Sequence, residues 1–215
     1  MTRMAASIRQ ILTDAASSSP DDIWLVTPET ETSFSWQDTH KRAETIACYL
    51  QGAGLSKGAS VAIAAPNGAA ASFAFLGVVY GGFRATPLNL VAGVKTLAFV
   101  LSHSKTEIIL CADDSRALVD EAIAGLVESG ETAPRIISMD GDDGPRWAET
   151  NITPVKPVDL DVPSADTIGL LMYTSGTTGV PKGVLLSHAN LIAAGTNVVV
   201  AHKLTAADTG MCVLP

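Results

Sequence analysis

The chain has 215 residues, enough to bury a sizeable core, and 47% of them are apolar, which excludes disorder as a description of the whole. Only 17% are charged, and 14 Lys plus Arg against 22 Asp plus Glu leave a formal net charge of −8. With no basic run longer than Lys41-Arg42, nucleic acid is not an expected partner.

The chain opens on a stretch bearing Arg9 among Ile8, Ile11 and Leu12, read as a surface-packed helix. Asp14 and the lack of an apolar run with a cleavage site argue against a secretory signal. Ser35 is placed to cap a helix to about Gln51, with Trp36, Ala43, Ile46, Ala47 and Leu50 recurring on one face. Gly52 and Gly54 stop that helix, so the glycine-rich run Gly52–Gly58 is a turn and not a dinucleotide fingerprint. The charge-free stretch Gly58–Phe83 is broken by Pro66-Asn67-Gly68, which leaves a strand at Val61–Ala65 and a buried helix at Ala69–Tyr80, too short to cross a bilayer.

Further alternation follows: a strand at Arg84–Leu88, a helix at Val94–His103 and a strand at Glu107–Cys111. Next come a helix at Arg116–Val127, capped by Asp113 or Ser115, and a strand at Arg135–Met139. Asp140–Ser164 holds four prolines, two glycines and five Asp and reads as a long surface excursion. After it, Ile168–Met172 is a strongly apolar strand, then a Gly/Thr-rich loop, a short strand at Val184–Leu186 and a helix at Ala189–Ala201, with Ser187 or His188 at its start. Met211–Pro215 resembles the beginning of another strand. Such alternation implies an α/β fold, a layered and mostly parallel sheet with flanking helices.

Cys48, Cys111 and Cys212 are odd in number and form no CxxC pair, so no disulfide framework or cysteine metal site is expected and the compartment reads as reducing and cytoplasmic. His40, His103, His188 and His202 show no metal-ligand spacing, and no metal ligand is assigned. One segment stands apart. Thr174-Ser175-Gly176-Thr177-Thr178-Gly179-Val180-Pro181-Lys182-Gly183 offers four hydroxyls, three glycines and the only Lys or Arg between Lys156 and Lys203. Glycine-exposed backbone amides, Ser/Thr hydroxyls and a lone ammonium are the donors that phosphate oxygens need. It is not a Walker A loop, because Pro181 precedes Lys182 and Gly183 follows it.

Thr174–Gly183 resembles the phosphate-binding signature of the adenylate-forming superfamily, which includes acyl-CoA synthetases, adenylation domains and luciferases; all nine specified positions of its ten match. Leu170–Tyr173 resembles the strand that leads in, and Val184–Leu191 the exit into the next helix. Looser similarity extends upstream through Phe34-Ser35-Trp36 and Gly77–Asn89, where Tyr80-Gly81-Gly82 departs from the usual small residue and single glycine. Thr86–Asn89 and Ser187–Leu191 look more like acyl-CoA ligases than peptide-synthetase domains.

The resemblance implies ATP-dependent activation of a small-molecule carboxylic acid to an acyl-adenylate with release of pyrophosphate, then a thioester with CoA. It implies that Thr174, Ser175, Gly176, Thr177, Thr178, Gly179 and Lys182 hold the phosphates of ATP with Mg²⁺, Lys182 being the catalytic candidate. It further implies an N-terminal α/β portion of the AMP-binding domain over residues 1–165 and a phosphate-loop segment over 166–215. On this reading the chain is the N-terminal part of the large domain, ending in mid-fold. Such a segment would be inactive alone and prone to self-associate through apolar surface. A nucleotide-binding or regulatory module without catalysis is the alternative, and an inert fragment is a third reading.

Overall fold

A computed structural model describes residues 5–174 and 181–211. Seven strands form one sheet in the order β7 (Gly144–Pro145), β6 (Arg135–Asp140), β5 (Thr106–Ala112), β3 (Ser60–Ala64), β4 (Arg84–Pro87), β8 (Ile168–Thr174), β9 (Lys182–Ser187). The pairs from β6 through β8 are parallel, and only the two outermost pairs, β6 with β7 and β8 with β9, are antiparallel. The mostly parallel α/β expectation therefore holds.

Strand alternation sorts two cores. Val61, Ile63, Ile108 and Leu110 face α2 (Trp36–Gly52) and α3 (Ala69–Tyr80), where Ile46, Leu50, Phe73 and Val78 meet them. Ala62, Ala64, Ile109 and Cys111 face α4 (Val94–Ser104) and α5 (Arg116–Glu128), against Leu97, Leu101, Val119 and Leu126. Cys48 and Cys111 are buried, and burial pushes the Cys111 thiol up to about 11, so both serve as small core residues. The α2 and α3 helices approach so closely that a Cβ on Gly77 would stand 2.5 Å from Ile46 Cβ.

Local chemistry explains most boundaries. Ser35 and Asp38 form a reciprocal capping box on α2, and Gly54, at φ +90, sits just beyond the helix end. Ser187 and Asn190 do the same for α6 (His188–His202). At α5 Ser115 holds the expected N-cap position without making a capping bond. A 3₁₀ turn over Asp113–Ser115 feeds the helix directly, and Ser115 Oγ donates to Asp114 Oδ1 at 3.1 Å instead of capping an amide.

Two features are additional to the sequence reading. An antiparallel hairpin, β1 (Ile23–Thr27) and β2 (Thr32–Ser35), precedes α2 and brings Trp24 and Phe34 onto Phe73. The excursion Asp140–Ser164 is anchored as well as long: Trp147 stacks on Tyr49 at 4.6 Å, Val155 N–H donates to Cys48 O, and Leu160 is buried. Of the strand expected at Met211–Pro215, only Met211 lies within the described residues, outside any regular element.

The N-terminal helix α1 (Ile8–Ser18) is capped by Ser7 and buries Leu12. Its first amide, Ile8 N–H, donates to Nδ1 of the fully buried His188 at 3.0 Å, while Nε2 has no partner among the described residues. Burial, with a smaller push from the Arg9 charge, lowers the His188 pKa to about 4. A group with a depressed folded-state value keeps its imidazole neutral in the native state, whereas the unfolded chain takes up the proton near pH 6.5. Its contribution is fully present above that pH and is lost as pH falls toward 4. Urea midpoints of the wild type are expected to drop between pH 7 and pH 5 by the equivalent of about 1–2 kcal/mol. His188→Gln should lose that slope; an equal slope in the variant would contradict the assignment.

Candidate phosphate-binding site

The strand β8 carries the chain toward the signature segment, and β9 carries it away. Their antiparallel ladder runs further than the sequence suggested. It reaches the pairs Tyr173 with Gly183 and Thr174 with Lys182, so Lys182, expected inside the loop, is instead the first residue of β9. The physical reason is register: pairing begun at Leu170 with Leu186 continues unbroken to the rung that closes on Thr174. Thr174 and Lys182, eight positions apart in sequence, thus become direct cross-strand neighbours, both exposed. Ser175, Gly176, Thr177, Thr178 and Gly179 lie outside the described residues.

A cavity of about 250 Å³ opens beside this rung, at the carboxyl ends of β4 and β8. Open parallel sheets bind ligands at that end of their strands. Leu88, Leu97 and Val100 give it an apolar floor, and Asn89, Thr96, Tyr173 and Thr174 supply polar groups. Burial raises the Tyr173 phenol above its ordinary value, with Arg84 pulling more weakly the other way, so the hydroxyl keeps its proton at neutral pH. Among the described residues no group of His, Cys, Asp or Glu side chains is placed to hold a metal ion. The donors at the rung, a hydroxyl and an ammonium, suit phosphate oxygens.

The sequence reading missed His103. It finds no metal-ligand spacing around this residue and gives it no role, yet Nδ1 lies 2.7 Å from the Tyr173 hydroxyl at the cavity's edge. His40, read the same way, bonds to Tyr80 and Thr13, far from the rung in the fold's α1–α2–α3 layer. No local signal marks His103, because its partner is 70 positions away.

The AMP-binding enzyme family model matches residues 12–215, nearly the whole chain. The chain belongs to this family. It is 34% identical over 199 residues to a sulfoacetate–CoA ligase of Cupriavidus necator, covering 91% of this chain and 38% of that protein. It is 32% identical over 163 residues to an oxalate–CoA ligase of Arabidopsis thaliana, covering 76% of this chain and 31% of that one. A fatty acyl CoA synthetase from Mycobacterium tuberculosis superposes with a TM-score of 0.71 at 26% identity, covering 85% of this chain and 34% of that structure. The chain therefore spans about a third of the length of these AMP-binding relatives. No helix among its described residues is long and apolar enough to cross a membrane.

Proposed function

We propose that this chain supplies the phosphate-binding side of an ATP-dependent carboxylic acid–CoA ligase. The observation that carries the reading is the closed rung of Thr174 and Lys182 at the carboxyl end of β8, flanking a signature rich in hydroxyls and glycines. In the reaction a carboxylate oxygen attacks the α-phosphorus of ATP and the bond to the β-phosphate bridging oxygen breaks, giving an acyl-adenylate and pyrophosphate. The thiol of CoA then attacks the acyl carbon, loses its proton and expels AMP. Charge accumulates on the leaving pyrophosphate, so catalysis at this end is positioning and charge neutralisation.

Lys182 is assigned to the β- and γ-phosphates as a mobile point charge, and Thr174, Ser175, Thr177 and Thr178 to hydroxyl donation. Gly176 and Gly179 are assigned to backbone amides that approach the phosphates closely. Placing Lys182 on a strand and not in a loop fixes its Cα against Thr174, so only its side chain needs ordering when ATP arrives. The acid, CoA and most of the adenylate's contacts are assigned to residues that the longer relatives carry beyond the matched third.

The intact protein, supplied with carboxylic acids, Mg-ATP and CoA, is expected to release AMP and form an acyl-CoA, both identified by mass spectrometry. ADP in place of AMP would refute adenylate chemistry. A thioester formed only on a carrier protein would move the acceptor from CoA to that carrier. ATP binding with no acid-dependent product would favour the nucleotide-binding module.

The exposed side of β8, β9 and α6 supports the expected self-association of the 215-residue chain. Met172, Val184, Leu185, Val198, Val199 and Val200 are between 44% and 71% exposed on consecutive elements ending at an open sheet edge. Light scattering is expected to give a mass above the monomer's, reduced by Leu185→Lys; a monomer at all concentrations would contradict it.

A further inference from the structure

Phosphate donation does not explain what surrounds Tyr173. Its hydroxyl meets His103 Nδ1 at 2.7 Å on the last turn of α4. Phe99, one turn earlier, stacks on the imidazole at 5.4 Å and 22°, and Tyr173 stands edge-on to both rings, at 6.5 Å and 84° to Phe99 and 5.7 Å and 81° to His103. On its other side the phenol ring lies over Gly183, where a Cβ would come within 3.5 Å of Tyr173 Cε1 and 3.0 Å of Leu171 Cδ1. The Tyr173 ring thus packs in ordinary contact distance of the position a side chain would take at Gly183, with Leu171 beside it.

We propose that Tyr173 and His103 are a positioning pair for the nucleotide's phosphates: their hydrogen bond ties the Thr174–Lys182 rung to α4. The inference rests on the phosphate-binding reading and adds to it. Tyr173 is the residue immediately before Thr174 and the cross-strand partner of Gly183, immediately after Lys182. Fixing its ring therefore fixes the backbone from which both phosphate contacts project. The same helix supplies Thr96, Leu97 and Val100 to the cavity wall, so the bond sets the spacing between that wall and the rung. His103 is exposed, and a hydrogen bond open to water adds little to global stability, which leaves geometry as its main effect.

The test is a double-mutant cycle on the full chain, using calorimetric titration of Mg-ATP. Tyr173→Phe and His103→Ala are each expected to weaken binding about three- to tenfold, with unchanged thermal midpoints. The double variant should be no weaker than either single one, because the residues act as a unit. His103→Gln, which retains a hydrogen-bonding side chain, should restore most of the affinity. Wild-type affinity in both single variants, or effects that simply multiply, would overturn the proposal.

Lys182→Ala serves as the control for the underlying reading. If it binds ATP like the wild type, or the wild type binds none, the phosphate assignment fails for this chain. Amide hydrogen exchange then decides the positioning role separately. Exchange at 173–174 and 182–184 should accelerate in Tyr173→Phe and His103→Ala while β3 and β5 stay unchanged; equal protection at the rung would overturn the pairing.

Discussion

Lys182→Ala is expected to weaken Mg-ATP binding at least tenfold, and up to about a hundredfold, the equivalent of losing one hydrogen bond to a charged group. The size follows from local charge. Lys182 is the only Lys or Arg from position 157 to 202 in a chain of net charge −8, so no cationic neighbour in that stretch is available to take its place against a polyphosphate. Arginine is not an equivalent substitute. Its planar fork is wider than an ammonium and needs a different approach to the phosphates, so Lys182→Arg is expected to recover only part of the loss. Steady-state kinetics of the intact protein offer a second check. Pyrophosphate is the leaving group, so the lysine's contact should strengthen as charge develops, and kcat should fall as well as KM rise. A variant with unchanged affinity and unchanged kcat would remove Lys182 from the site.

Phe73→Ala is expected to cost about 3–5 kcal/mol, a large share of the stability of a domain this size. Phe73 is 1% exposed, and its ring is met edge-on by Phe34 at 4.9 Å and at a tilt of 46° by Trp24 at 6.1 Å. The Arg42 guanidinium lies 5.0 Å from the centroids of both phenylalanine rings, while NH1 is held by the carbonyls of Asp142 and Asp143. One ring thus joins α3 to the β1–β2 hairpin and, through Arg42, to the excursion. Truncation leaves a cavity that three separate segments would have to collapse into together. Urea denaturation should show a lower midpoint, and the hairpin should lose exchange protection with the helix. A loss below about 1 kcal/mol would mean the hairpin is not packed against α3 as described.

What the sequence made readable was governed by how local each cause is. Capping boxes at Ser35 and Ser187, the glycine stop after α2 and the apolar helix at Ala69–Tyr80 all announce themselves within a few residues. The hairpin does not, because its strands are five and four residues long and Ile23 and Val26 face solvent. The excursion's anchors are not marked either: Leu160 lies in the alternating run Val158-Asp159-Leu160-Asp161-Val162, yet it alone of the three apolar residues is buried, and Trp147 follows Arg146 in a stretch with no helical or strand period.

At the site the division is the same. The donor chemistry of Thr174–Gly183 is contiguous and could be read directly, whereas the β-rung that places Lys182 opposite Thr174 depends on register. The contact between His103 and Tyr173 depends on tertiary packing alone. Ser115 shows a partial case: it stands at the α5 N-cap as its sequence position suggests, but after a 3₁₀ turn its hydroxyl bonds to Asp114 and caps no amide.

Acid-dependent exchange of labelled pyrophosphate into ATP by the intact protein tests the adenylation step most directly, because it requires a reversible acyl-adenylate and no thiol. Exchange is expected with Mg-ATP and a cognate carboxylic acid in the absence of CoA, and should be strongly reduced by Lys182→Ala. Exchange that is absent with every acid while ATP still binds, or that proceeds without acid, would contradict carboxylate activation by this fold.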